Sequence, residues 1–278
     1  MACLEKLVGI LGYPVSHSLS PKLHNYWLDL YNLKGRYIFL PVTVENMPTK
    51  LAGLKAKGFV GINVTVPHKE TILPLLNEVS DIANFIGAVN TVFISDNGYL
   101  RGTNTDAEGF MKNLNHYGHK LDISGAPSAV LGSGGAARAV VAALVNAGSP
   151  EIRVIARNKE KAARIKAQLG DRVVVGDWVR RSEFLLECGL LVNATTLGMT
   201  GQQELKICLD RLPVTAVVND LVYSPLQTQL LEVAHRRGNA AVDGLGMLLY
   251  QAVAGFEGWF GVTPTVDPRI RDFLISSR

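Results

Sequence analysis

Val130-Leu131-Gly132-Ser133-Gly134-Gly135-Ala136-Ala137-Arg138-Ala139 is the stretch on which the fold turns. The apolar run Ser128–Leu131 reads as a strand, and the small residues after the glycines read as a helix. Between them lies G-x-G-x-x-A. Gly132 suits the tight turn, Gly134 lets a pyrophosphate approach the backbone, and Ala137 lets the helix pack closely on the strand. The helix N-terminus carries the partial positive charge that receives phosphates. Any tight strand-to-helix turn favours glycine, so the pattern alone is weak. The strand before it and the helix after it are what favour a dinucleotide cradle of Gly132, Ser133, Gly134, Gly135 and Ala136.

The next strand, Ile152–Ala156, indicates which dinucleotide. A site for NAD places an acid where this strand ends, to hold the ribose hydroxyls. Here that place holds Ala156, followed by Arg157 and Asn158. An arginine pairs with a 2′-phosphate and stacks on adenine, and Lys161 adds charge. The expected cofactor is therefore NADP. The plain alternative is a solvated arginine at a strand end.

Outward from this loop, strand and helix patterns alternate along the whole chain, which predicts an α/β protein with parallel sheets. Downstream strands are expected at Val173–Val175, Leu190–Asn193, Ala216–Asp220 and Ala240–Val242. Upstream strands are expected at Leu7–Gly12, Tyr37–Val42, Val60–Val64 and Val89–Ile94. One helix opens at Ser20-Pro21, with Ser20 as N-cap and Pro21 at the first helical position. A second covers Asn46–Lys57 and a third starts near Pro67. Two domains are expected: an N-terminal α/β substrate domain over 1–105 and a Rossmann-type, doubly wound NADP-binding domain over 106–243. Residues 244–278 supply two closing helices, Met247–Phe260 and Pro268–Ser277, that pack back on the substrate domain.

The composition fits such a chain and excludes several others. Of 278 residues, 47% are hydrophobic and 19% charged, so a packed core is expected rather than disorder. The net charge of +4 is mild, and no basic run or basic–aromatic interleaving points to nucleic acid. Cys3, Cys188 and Cys208 form neither a zinc pattern nor a disulfide framework, and the histidines are scattered. No metal site is expected, and a reducing cytoplasm fits. The N-terminus lacks the features of a signal peptide, and the stretch from Ala126 to Gly148 contains Arg138 and several glycines, so no membrane association is expected.

Chemistry-bearing residues cluster upstream. Gly61-Ile62-Asn63-Val64-Thr65-Val66-Pro67-His68-Lys69 reads as a buried strand breaking into a helix, with Lys69 in the first turn. A cation is disfavoured at a helix N-terminus, and an ammonium held there has its neutral form favoured, which suits proton transfer. The plain alternative is a surface lysine with its head in water. Ser18 and Ser20 follow the first strand, where α/β sheets bind ligands, although serines also serve as turn and cap residues. Asn90, in Gly87-Ala88-Val89-Asn90-Thr91, is an amide inside an apolar strand and needs partners, either internal or on a ligand. Thr105 and Glu108 have capping-box spacing around Asp106, and an acid in a first helical turn is favourable anyway.

Taken in order, these segments resemble the shikimate dehydrogenase family. The family pattern S-x-S-P, N-V-T-x-P-x-K, G-A-x-N-T, G-x-N-T-D, G-x-G-G-A, N-A-T, D-x-x-Y-x-P and G-x-x-M-L-x-x-Q-A is matched at Ser18 to Pro21, Asn63 to Lys69, Gly87 to Thr91, Gly102 to Asp106, Gly132 to Ala136, Asn193 to Thr195, Asp220 to Pro225 and Gly244 to Ala252. The resemblance spans nearly the whole chain. It implies NADP-linked, reversible reduction of 3-dehydroshikimate to shikimate. It also implies Lys69 and Asp106 as the catalytic pair. Ser18, Ser20, Thr65, Asn90, Tyr223 and Gln251 are then implied to hold the substrate. Asp81, Leu221 and Gly244 are implied to lie against the cofactor. One departure is Ala156-Arg157-Asn158 where members using NADP often have N-R-T or N-R-S: the arginine is kept and the hydroxyl is not. The same family includes enzymes acting on quinate. A silent dinucleotide-binding module is one other reading, and the presence of both Lys69 and Asp106 speaks against it; a two-domain folate dehydrogenase does not explain the ordered Ser, Asn and Gln set. The oligomeric expectation is a monomer or a homodimer.

Overall fold

Leu7 to Leu11 and Phe59 to Val64 are mostly apolar runs too short for helices and rich in branched residues, and they form adjacent central strands. The computed structural model describes residues 5–117 and 121–276. Cys3 and Ser277 lie outside the described residues.

Two compact units are present. One holds the described residues up to Thr105 and from Gln251 onward; the other is Asp106–Tyr250. The second boundary falls inside a helix, between Tyr250 and Gln251, rather than at Gly244.

The first unit contains strands β1 (Lys6–Gly12), β2 (Gly35–Pro41), β3 (Phe59–Val64), β4 (Glu78–Val79), β5 (Thr91–Ile94) and β6 (Leu100–Thr103) in the order β2-β1-β3-β5-β6-β4. Helices α1 (Ser20–Leu30), α2 (Met47–Ala52) and α3 (Asp81–Ile86) lie between them. The sheet is mixed, which corrects the expectation of parallel strands throughout. β2, β1 and β3 run parallel, whereas β5 runs antiparallel to both β3 and β6. The cause is local: Asp96-Asn97-Gly98 makes a hairpin turn with Gly98 at φ +83, and β6 folds straight back on β5.

Two helix expectations also change. No α-helix starts at Pro67: residues 65–72 form turns, and a short 3-10 turn follows at Leu73–Leu75. The Lys69 carbonyl accepts from the Val89 N–H at 2.8 Å, so it is spent on the segment leading into β5 instead of a helical ladder. Ser20 is not the N-cap of α1. It is the first helical residue, Leu19 precedes it, and no side-chain cap is made.

The second unit is built on β7 (Ser128–Leu131), β8 (Ile152–Ala156), β9 (Val173–Asp177), β10 (Leu190–Asn193), β11 (Val217–Asp220) and β12 (Ala240–Val242). These pair in parallel in the order β12-β11-β10-β7-β8-β9, the doubly wound arrangement expected from the glycine loop. Helices α4 (Asp106–Tyr117), α5 (Gly135–Asn146), α6 (Lys159–Leu169) and α7 (Gln229–Arg237) accompany them. Helix α8 (Leu245–Phe260) passes from this unit into the first, and α9 (Pro268–Ser276) belongs to the first.

Each unit has its own core. Leu11, Leu54, Ile62, Ile72 and Val92 are fully buried in the first, and Ala129, Leu131, Ile155, Leu191 and Val218 in the second. Each large aliphatic side chain so buried contributes about 1.5–3 kcal/mol. No helix among the described residues is long and apolar enough to cross a membrane.

Candidate active site

In the first unit the candidate residues gather at one end of the sheet. The carboxyl ends of β1 and β3 are joined by Thr65 N–H to the Leu11 carbonyl (2.9 Å) and Tyr13 N–H to the Val66 carbonyl (3.0 Å). Thr65 therefore sits beside the loop that carries Ser18 and Ser20. Ser18 Oγ donates to Ser20 Oγ and accepts the Ser20 N–H, both at 3.2 Å. Ser18 Oγ thus takes up the first N–H of α1 without being its N-cap residue.

The antiparallel direction of β5 brings Asn90 to this same end. Thr91 pairs with Asn63, near the carboxyl end of β3, so Asn90 precedes the strand rather than lying within it. Its buried amide is a hub. Nδ2 donates to Thr105 Oγ1 (2.9 Å) and to Gln251 Oε1 (3.2 Å), and Oδ1 accepts the Thr105 N–H (2.9 Å) and the Thr91 hydroxyl (3.0 Å). Three segments remote in sequence are joined by one side chain. Thr105 Oγ1 is spent on Asn90 and Glu108 pairs with Lys112 at 2.6 Å, so the capping-box spacing is used for other bonds.

Asn63 also bonds within the protein: it accepts from the Tyr37 hydroxyl (2.7 Å) and donates to the Asn90 carbonyl and Thr91 Oγ1 (3.1 Å each). It is a brace for the site.

Lys69 is half-buried, and Val89, whose N–H binds its carbonyl, directly precedes the Asn90–Thr91 pair. The helix-dipole argument for Lys69 does not apply, because the helix is absent. His68 fixes the turn instead, through Nε2 to the Val42 carbonyl at 2.6 Å. Asp106 is buried at the start of α4, directly after Thr105. Asp81 is exposed in the first turn of α3, behind the Ser80 cap, where an acid favours the helix in any case.

In the second unit the glycine loop has the shape the sequence implies. Gly132 has φ +114, and a Cβ there would meet the Ala194 carbonyl oxygen at 2.9 Å. Gly134 is the N-cap of α5, makes no side-chain cap, and would hold a Cβ with nothing within 4 Å. Protein packing does not require glycine at Gly134, whereas a pyrophosphate against the backbone does. The first-turn N–H groups at Gly135 and Ala136 are left for an anion. Ser133 is buried beside them. These features fit a dinucleotide phosphate.

The adjoining loops are braced. Asn193 ties the β10 exit through Oδ1, which accepts the Thr195 N–H and hydroxyl (3.1 and 2.7 Å). Its Nδ2 reaches Asp220 Oδ1 at 2.9 Å. Asp220 also accepts the Val222 N–H (3.0 Å) and the Thr228 hydroxyl (2.7 Å), which fixes the loop carrying Leu221 and Tyr223. Burial pushes the Asp220 carboxyl up to about 6, against the pull of these hydrogen bonds. Gly244 packs against the Leu221 carbonyl so closely that any side chain would overlap it. At the end of β8, Arg157 is exposed, Asn158 caps α6 by accepting the Lys161 N–H (2.9 Å), and Ala156 is buried.

Comparison with known proteins shows the family. The shikimate dehydrogenase substrate-binding domain matches residues 10–92, and the shikimate 5′-dehydrogenase C-terminal domain matches residues 244–268. A shikimate dehydrogenase (NADP(+)) of Paramagnetospirillum magneticum is 52% identical over 276 residues, covering 99% of this chain and 100% of that protein. The chain belongs to the shikimate dehydrogenase family. Within this family, the Thermus thermophilus shikimate 5-dehydrogenase solved with NADP(H) and shikimate has a TM-score of 0.86 at 36% identity, over 99% of each chain. Quinate dehydrogenase of Corynebacterium glutamicum, solved with NAD, has a TM-score of 0.89 at 29% identity, over 98% of this chain and 99% of that one.

Among the described residues, no group of three or more His, Cys, Asp and Glu could hold a metal ion. One side chain near the candidate site escaped sequence reasoning. Trp178 follows β9, and the Arg157 guanidinium carbon lies 6.0 Å from its ring centroid. The signal was present: an aromatic residue directly follows the strand that neighbours the cofactor-discriminating one.

Proposed function

We propose that this protein is an NADP-dependent shikimate dehydrogenase that reversibly reduces 3-dehydroshikimate to shikimate. The observation that carries this reading is the Asn90 hub, which joins Thr105 and Gln251 at the sheet end that also holds Ser18, Ser20 and Thr65. Amides and hydroxyls gathered there suit a small ring bearing hydroxyls and a carboxylate. The full-length kinship to NADP-dependent shikimate dehydrogenases supports the same substrate.

NADPH, when bound at the glycine loop, supplies the hydride. Negative charge then develops on the carbonyl oxygen, and a proton donor within hydrogen-bond reach stabilises it. Lys69 is assigned that donation, and it takes the proton back during alcohol oxidation. Asp106 orients Lys69 and receives a hydrogen bond from the neighbouring hydroxyl. Ser18, Ser20, Thr65, Asn90, Tyr223 and Gln251 hold the ring. Gly132 to Ala136, Arg157, Asn158 and Lys161 hold the dinucleotide, while Asp81, Leu221 and Gly244 are assigned to its nicotinamide side. Free Cys188 and Cys208 accord with a cytoplasmic setting.

Lys69→Ala tests the chemistry. Turnover should fall by about a hundredfold to ten-thousandfold, the usual contribution of a positioned general acid, with substrate affinity little changed. Undiminished turnover would remove Lys69 from the mechanism. Quinate remains a second reading because of the resemblance to the Corynebacterium glutamicum enzyme. Rates with shikimate and quinate, each with NADP and with NAD, separate the two.

A further inference from the structure

We infer that Trp178 is a positioning residue for Arg157 and thereby sets the preference for a 2′-phosphorylated dinucleotide. The inference rests on the reading of Arg157 as the partner of that phosphate.

The register of the sheet is the first observation. Ala156 at the end of β8 lies opposite Asp177 at the end of β9, so Arg157 and Trp178 leave the sheet side by side. The Arg157 guanidinium carbon is 6.0 Å from the indole centroid, at the outer limit of a cation–π contact. Arg157 is exposed, and an exposed arginine samples many rotamers that a ligand must freeze. Holding it near an indole removes part of that cost before the ligand arrives.

Trp178 is itself held. Its half-buried ring packs against the core of the second unit. Its carbonyl accepts from Arg181 Nη1 at 2.9 Å and from the Arg181 N–H at 3.3 Å. Arg181 also donates from Nε to the Lys206 carbonyl at 2.6 Å, and its guanidinium carbon stands 5.2 Å from the same indole centroid. A fixed arginine thus fixes the tryptophan, and the tryptophan orders the arginine that meets the ligand. Asp177 is the one acid in this turn that would oppose a phosphate. Its carboxylate is engaged by Lys159 Nζ at 2.8 Å and the Val179 N–H at 2.9 Å. The plain alternative is that Trp178 only covers the edge of the core. It would then affect stability and all nucleotides alike.

Calorimetry on the full chain separates these roles, with adenosine 2′,5′-bisphosphate and 5′-AMP as probes. Trp178→Ala should raise the Kd for the bisphosphate about threefold to fivefold and leave that for 5′-AMP unchanged. Trp178→Phe keeps an aromatic face and should recover most of the affinity, and it guards against a poorly folded alanine variant. In steady state, KM for NADP should rise while kcat holds. Equal weakening of both probes, or no change for either, would overturn the inference. Arg157→Ala tests the reading beneath it and should abolish discrimination between the probes. Discrimination surviving Arg157→Ala would overturn that reading and the inference with it. Discrimination lost in Arg157→Ala but intact in Trp178→Ala would overturn the inference alone.

Discussion

The second unit offers its ligand a bare backbone, and the first offers side chains. At Gly134 and the first turn of α5 the functional groups are N–H dipoles, present in any sequence and exposed here by removing side chains. Around Asn90 the functional groups are amides and hydroxyls, each bonded to the others. A backbone site is a local property and tolerates change elsewhere in the chain. A side-chain site depends on which strands meet. The units also carry opposite buried titratable groups, so acid should act on them in opposite senses.

His24 gives the largest expected effect. It is fully buried in the first unit and stacked on Tyr37 at 4.3 Å, with Trp27, Phe256 and Trp259 around it. Among the described residues neither ring nitrogen has a hydrogen-bond partner, and the Tyr37 hydroxyl is turned to Asn63. Burial pushes its pKa down from 6.5 to about 3. Between those values the unfolded chain binds more protons than the folded one, so stability falls as pH is lowered through the window. The loss approaches about 5 kcal/mol in total. His24→Phe should keep the stack, abolish this acid sensitivity, and leave stability near neutral pH unchanged or higher. Urea midpoints measured from pH 7 to pH 4 check it; an unchanged acid slope would break the contrast.

Asp220 should act the other way in the second unit. Its carboxyl rises from 3.8 to about 6, so between those values the folded state binds more protons and stability falls as pH rises. The expected change is about 3 kcal/mol, smaller than that of His24 and opposite in slope. Hydrogen exchange read peptide by peptide at pH 4 and pH 6.5 would show the second unit better protected at the lower pH. Asp220→Asn should remove the slope, although its absolute stability will also drop because the Thr228 hydroxyl loses its acceptor at Oδ2.

A pair of glycines sharpens the comparison at smaller scale. A Cβ on Gly61 would overlap the Trp259 indole, so Gly61→Ala should cost about 1–3 kcal/mol, visible as a lower Tm. Gly134→Ala meets no protein atom and should change stability by less than about 0.5 kcal/mol. It should nevertheless weaken NADP binding, which calorimetry would measure. Equal stability losses in the two variants would erase the distinction between room made for packing and room made for a ligand.

The same contrast governs what was legible in advance. The strand–glycine–helix unit at β7 and α5 is contiguous, so its period and turn residues are readable in a single window. The missing acid after Ala156 is likewise local. In the first unit the misreadings share one origin. Asn97-Gly98 is a strong hairpin signal, and it turns β6 back on β5 where strand–helix alternation predicts parallel strands. Pro67 reads as the break between a strand and a helix; the Val89 N–H, twenty residues on, claims the Lys69 carbonyl instead. Only the register of β8 and β9 sets Trp178 beside Arg157.

Family membership, the doubly wound unit and the identity of the polar residues were determined by the sequence, because each is a local pattern of residue types repeated in order. The tertiary structure alone decided that Asn90 meets Thr105 and Gln251, and that Asn63 serves the protein's own framework. That assignment depends on the direction of β5. Strand direction is set by long-range pairing and burial, which no window of residues contains.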